Sequence, residues 1–206
     1  MPLRLAVETA FPTVSVALDA NGTLLEPGVD LSARRAAGLH AAVADLVHQA
    51  DATVKNLDEV WVDVGPGSYT GLRVGIALVR TLAELVDVEI KTLRSTDQLA
   101  RAVQGQMADH ADFVVCLDAR RNRWYCARYR VASDGLELVE APTCLTPEEL
   151  HTTASGAEAV VTNGAAPPLD LPVIDAAVPS AGSLFELAHL ARVDPEPAPI
   201  YLMAPV

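Results

Sequence analysis

Three groups of residues in this chain have types and spacings that suggest chemistry. They are the glycine-rich run Gly65–Gly75 (GPGSYTGLRVG), the strand-end acids Glu8 and Asp118, and five histidines. A glycine-rich loop that opens a helix is a common phosphate cradle, because backbone N–H groups and the helix dipole converge on an anion. This run lacks the lysine and Ser/Thr pair of G-x-x-x-x-G-K-[ST]. Pro66 also lies between its first two glycines and removes an N–H donor that an anion nest needs. The competing reading is a turn. Gly65 and Gly67 allow a sharp exit from a strand, Ser68 or Thr70 caps the helix, and Gly71 lets another backbone approach. The turn reading is the stronger of the two. GSYTG echoes G-x-S-x-G, but Ser68 directly follows Gly67, outside the nucleophile-elbow spacing.

The histidines offer no metal site. His40 and His48 stand eight positions apart on one expected helix, about 12 Å at the helical rise, and His110, His151 and His189 are scattered. Asp118, Arg120 and Arg121 form a polar cluster whose plain reading is a solvated turn with local salt bridges. Cys116, Cys126 and Cys144 are odd in number and lack C-x-x-C spacing, as expected of reduced cytoplasmic thiols. The N-terminus has no signal-peptide pattern, and no segment reaches the ~18 apolar residues of a membrane span. With 27 acidic and 15 basic residues the net charge is −12, and no basic run appears. A nucleic-acid substrate would therefore be held by another chain.

The elements that position these residues read as α/β. Leu3–Thr9 and Thr13–Ala20 are strands joined at Phe11-Pro12, and Asn21-Gly22 is a hairpin signal before a third strand. A helix is expected over Arg34–Ala50, and Val60–Val64 is a strand leading into the glycine loop. After the next helix come a strand at VEIKTL and a helix at STDQLARAVQ, with Ser95 as its cap. The second half opens again with strands, FVVCLDA and RNRWYCARYRV, then LELVEAP beyond Ser133-Asp134-Gly135. Helices follow at TPEELHTTA and SAGSLFELAHLARV around the short strand AVVTNG, before a proline-rich tail. Both halves thus begin with a buried strand ending in an acid, a turn and a second strand, which places Glu8 and Asp118 in equivalent positions.

The helix after the loop, Thr70–Val86, is apolar over roughly 200° of its circumference, about twice what a helix lying on its own sheet needs. Leu72, Ile76, Val79, Ala83 and Val86 share one face; Val74, Leu78, Leu82 and Leu85 share a second. Arg73, Arg80, Glu84 and Asp87 fill the remaining stripe. Such a helix is covered on two sides, by its sheet and by either a neighbouring helix or a second protein. The preceding helix carries Leu39, Val43 and Leu46 on one face and the small residues Ala37, Ala41 and Ala44 opposite. The two helices either cover each other within one lobe or form half of an intermolecular four-helix contact.

GPGSYTGLRVGIALVRTLAE, with LAVETA near the start, CLDARRNRWYCARY and the ending PIYLMAPV, resembles the TsaB family over nearly the whole chain. That family belongs to the glycoprotease-like branch of the actin/sugar-kinase/Hsp70 fold. The resemblance implies two RNase H-like lobes, the second reduced: 1–100 with the docking helices, and 101–206 with the tail. It implies a noncatalytic subunit that supports the catalytic subunit TsaD, with the ATPase TsaE, in placing a threonylcarbamoyl group on an adenosine beside the tRNA anticodon. It favours the partner-interface reading of the helices, through Leu39, Val43, Leu46, Ser68, Tyr69, Thr70, Leu72, Arg73, Ile76, Leu78 and Arg80. A homodimer through the same helices is the alternative use of that surface.

Actin-like folds hold nucleotide phosphates at the first hairpin, with an acid followed by small residues. Here Glu8 replaces the usual aspartate and Phe11-Pro12 the small positions, so Glu8, Thr9 and Asp118 read as a degenerate nucleotide site. The H-x-x-x-H metal pair of TsaD-type proteins is also missing. No cofactor is expected on this chain alone; ATP and metal belong on partner subunits, and tRNA is met only through the complex. The competing class is a free-standing actin-like enzyme, a small-molecule kinase or glycoprotease-like peptidase.

Overall fold

The computed structural model describes residues 2–27, 35–133 and 135–203. The expected helix start at Arg34, the Ala37 side chain and Asp134 of the second-half turn lie outside the described residues. The chain divides into two units, Met1–Ser95 with Ser180–Ile200, and Thr96–Pro179 with Tyr201–Val206.

In the first unit, β1 (Leu3–Glu8), β2 (Ser15–Ala20) and β3 (Thr23–Leu25) form an antiparallel meander. Asn21 and Gly22 turn its second corner at φ 58° and 89°, the left-handed values a two-residue hairpin requires. α1 (Arg35–Gln49) leads to β4 (Glu59–Asp63), parallel to β1. α2 (Tyr69–Leu85) then leads to β5 (Glu89–Leu93), parallel to β4. The strand order is β3-β2-β1-β4-β5. Alternation along the strands gives the sheet two apolar faces. Leu5, Val7, Val16, Leu18, Val60 and Val62 are fully buried on one, the face left for α1 and α2.

The second unit repeats this plan. After α3 (Ser95–Val103), the strands β6 (Asp112–Arg120), β7 (Arg123–Ala132) and β8 (Gly135–Leu145) form a meander. β9 (Ala159–Thr162) is parallel to β6 and β10 (Val173–Asp175) is parallel to β9, giving the order β8-β7-β6-β9-β10. α4 (Pro147–Thr153) takes the place of α1, started by a capping box between Thr146 and Glu149. Among the described residues no helix joins β9 to β10, where the first unit has α2. Two lobes with the RNase H-like strand order, the second reduced, are therefore present.

The chain does not divide once at residue 100. Residues 180–200 return to the first unit, where β11 (Arg192–Val193) pairs antiparallel with β5. The reason is burial: Ala181, Leu184 and Leu187 cover Ala6, Ala17, Trp61 and Leu93 on the sheet's other face. These three residues recur every third position, which aligns them at three residues per turn. The segment Ala181–Leu187 accordingly winds as a 3₁₀ helix rather than the α-helix its composition suggests. Among the described residues no helix is long and apolar enough to cross a membrane.

Candidate functional site

Parallel strands β1 and β4 pair Val7 with Val62, so the next residues, Glu8 and Asp63, end side by side. Both are fully buried. Glu8 Oε1 accepts the Ala10 N–H at 2.7 Å; Asp63 Oδ1 accepts the Gly65 N–H at 2.6 Å and the Ser95 hydroxyl at 2.9 Å. Burial, and then the charge and hydrogen bond of the neighbouring Glu8 carboxylate, raise the Asp63 carboxyl well above its ordinary value. Asp118 repeats the motif in the second unit, its Oδ1 accepting the Arg120 N–H at 2.7 Å, but on the surface. Each of the three acids caps the amide two residues on. Asp63 escaped the sequence reading; its signal was VWVDVG, a buried strand ending in an acid as LAVETA does. Ser95, the expected cap, stands at the start of α3 and donates its hydroxyl to Asp63.

The glycine loop begins at Gly65, with φ 103° and a cis peptide to Pro66. The Gly65 carbonyl accepts the Ser95 N–H at 3.1 Å, and the Ala10 carbonyl accepts the Ser68 N–H at 2.8 Å. Ser68 is the N-cap of α2, its Oγ accepting the Gly71 N–H at 3.1 Å. Gly67, Gly71 and Gly75 recur every fourth residue and all face the turn after β1. A Cβ on Gly67 would lie 2.7 Å from the Ala10 carbonyl oxygen; on Gly71 it would overlap the Thr9 carbonyl oxygen, and on Gly75 Thr9 Oγ1. The loop therefore seats a helix on the first hairpin. Thr9 Oγ1 is buried with no hydrogen-bond partner, and α2 fills the space beside it.

The α2 N-terminus is thus packed against the turn after β1, and the two acids beside it are closed off from solvent. His40 and His48 are exposed on α1, eight residues apart, and among the described residues no three His, Cys, Asp or Glu side chains are grouped to hold an ion.

The expected interface residues divide into two sets. Leu39, Val43 and Leu46 of α1 are buried within the chain, as are Leu72, Ile76 and Leu78 of α2, all at 4% exposure or less. These six are core, which corrects their assignment to a partner surface. α1 packs against β2 and α2, and α2 against β1, β4 and β5, so the second cover its wide apolar arc demands comes from the same lobe. Ser68, Tyr69, Thr70, Arg73 and Arg80 are exposed, along with Ala77 and Thr81. The Arg73 guanidinium lies 5.4 Å from the centre of the Tyr69 ring and donates to its hydroxyl at 2.9 Å. On α1, Ala41 and Ala44 face outward.

A family model described as TsaD, tRNA N6-adenosine threonylcarbamoyltransferase, matches residues 31–185. The Bacillus subtilis tRNA threonylcarbamoyladenosine biosynthesis protein TsaB is 32% identical over 66% of this chain, and an uncharacterized protein of Mycobacterium leprae is 31% identical over 100%. The chain spans 58% and 56% of the lengths of these two relatives. In three dimensions, YeaZ from Pseudomonas aeruginosa is similar with a TM-score of 0.78 at 24% identity, covering 98% of this chain and 100% of that one.

Proposed function

Since this chain belongs to the TsaD family of tRNA N6-adenosine threonylcarbamoyltransferases, and is of the TsaB type within it, we propose that it acts in tRNA threonylcarbamoyladenosine biosynthesis as a noncatalytic partner of a TsaD-type subunit. The observation that carries the noncatalytic part is the seating of Gly71 and Gly75 on Thr9, which packs α2 tightly against the first hairpin, where actin-like folds hold phosphates. ATP and metal then reside on the partners, TsaD and the ATPase TsaE. The docking surface is the exposed side of the helix pair: Tyr69, Thr70, Arg73, Ala77 and Arg80 of α2 with Ala41 and Ala44 of α1. Small residues there permit close helix approach. The working compartment is the cytoplasm, where tRNA is.

Reconstitution with cognate TsaD and TsaE tests this reading. Digested tRNA should contain threonylcarbamoyladenosine only when this chain is present. Equal product without it, or turnover of ATP by this chain alone, overturns the proposal.

A further inference from the structure

We propose that the β6–β7 hairpin tip is a contact for the phosphodiester backbone of the tRNA on which the assembled complex acts; the inference rests on the function proposed above. The tip is Arg120-Arg121-Asn122-Arg123, and all four residues are exposed. Its conformation is unusual for its sequence. Arg120, Arg121 and Asn122 have φ of 64°, 53° and 56°, three consecutive left-handed residues. Asparagine tolerates that region and glycine prefers it, whereas arginine is penalised there by its Cβ. A turn that needed only to connect two strands would relax on replacing either arginine with glycine.

The tip is also held firmly. Asp118 Oδ1 fixes the Arg120 amide, and Trp124, paired across from Asp118, is buried in the core with Cys116, Cys126 and Leu150. Three other arginines are ion-paired: Arg4 with Asp19, and Arg128 and Arg130 with a shared Asp112. Arg123 lies beside Cys144 and Glu149. Among the described residues neither Arg120 nor Arg121 forms an ion pair. In a chain of net charge −12, which repels polyanions as a whole, two adjacent guanidinium groups without ion pairs at one hairpin tip are a place where one is tolerated. The expected local salt bridges of this cluster are replaced by a carboxylate turned onto the backbone.

The chemistry selects RNA. Guanidinium groups bind phosphate bidentately, and neighbouring arginines match successive phosphates of a chain. A free nucleotide needs enclosing walls, which an exposed hairpin tip does not supply.

The test compares wild-type chain with the double variant Arg120→Gln, Arg121→Gln, each assembled with TsaD and TsaE, in tRNA binding over a salt series. The double variant should bind about tenfold more weakly near physiological salt, with a log–log salt slope shallower by ~1–2. A second double variant, Arg120→Gly with Arg121→Gly, should melt higher than wild type yet lose tRNA affinity equally, which separates charge from folding. An unchanged slope with assembly and modification intact overturns this inference alone. Loss of assembly in the glutamine variant assigns the tip to a protein partner and overturns it as well. Absence of modified nucleoside with the wild-type chain overturns both the inference and the function on which it rests.

Discussion

Thr9 and Gly75 touch so closely that a single methyl group on the glycine would overlap the threonine hydroxyl. Gly71, one turn earlier, meets the Thr9 carbonyl in the same way. In an ordinary helix, Gly→Ala stabilises by ~0.5–1 kcal/mol. Here the sign should invert. We expect Gly71→Ala and Gly75→Ala each to lose about 1–3 kcal/mol, or more where backbone must shift, lowering Tm by several degrees. Gly105→Ala, with nothing within 4 Å of its Cβ position, is the control and should be neutral or better. Thermal melts of the three variants decide it; a stabilised Gly75→Ala would mean that α2 is not seated on the hairpin.

How far this arrangement was legible depends on whether the signal was local. The turn role of Gly65–Gly75 followed from Pro66 and the missing lysine, and Ser68 as a cap followed from its place before the apolar run. What the glycines approach did not follow, because Thr9 is some sixty residues away and pairing across that distance leaves no trace in composition. The width of the α2 apolar arc correctly demanded two covers, yet periodicity carries no label for which neighbour supplies the second. Leu39, Val43 and Leu46 therefore passed as surface when they are core. The 3₁₀ segment at Ala181–Leu187 and the two-residue β11 were hidden for a related reason: both exist by packing on the first sheet, against weak local preference.

The buried Glu8–Asp63 pair makes stability depend on pH. Because the folded-state pKa of Asp63 is raised, the native protein binds more protons than the unfolded chain between the ordinary carboxylate pKa and the raised one. Stability therefore falls as pH rises through that window, by up to about 1.4 kcal/mol per pH unit for one proton. Asp63→Asn needs no proton and can still accept from Gly65. Urea midpoints measured from pH 5 to 9 should decline for the wild type and stay flatter for the variant. Parallel curves would show that the pair does not retain its proton.

Thiol reactivity should sort by burial. Cys116 and Cys126 face each other across β6 and β7 with Sγ atoms 3.4 Å apart, both buried, and their mutual hydrogen bond together with burial pushes the Cys116 thiol far up. Cys144 is half-buried. A disulfide-exchange reagent at neutral pH should titrate one thiol in the native protein and three in denaturant, since only a thiolate attacks. Cys144→Ser should abolish the native reaction. Rapid native labelling of all three would indicate that the second sheet opens readily.

The docking surface can be tested on both sides of α2. Ile76→Asp and Leu78→Asp should each unfold the chain, because both positions are buried and an unpaired interior carboxylate costs several kcal/mol. The positions that probe partnership lie on the outside: Ala77 on α2 and Ala41 on α1. An acid at Ala77 is a poor probe, since Arg73 and Arg80 flank it on the helix face and would pair with it. A bulky ring is better. Tryptophan at an exposed helical position changes stability by only about 0.5 kcal/mol through propensity, but it props apart two helices that must approach closely. Ala77→Trp and Ala41→Trp should keep the wild-type circular dichroism and nearly the wild-type Tm. If the proposed surface is right, TsaD affinity should fall at least tenfold, about 1.4 kcal/mol, with a matching loss of tRNA modification. Self-association measured on the chain alone then distinguishes the two uses of the surface: a homodimer lost together with TsaD binding means that both compete for these helices. Normal TsaD binding by both folded variants would place the interface elsewhere on the molecule.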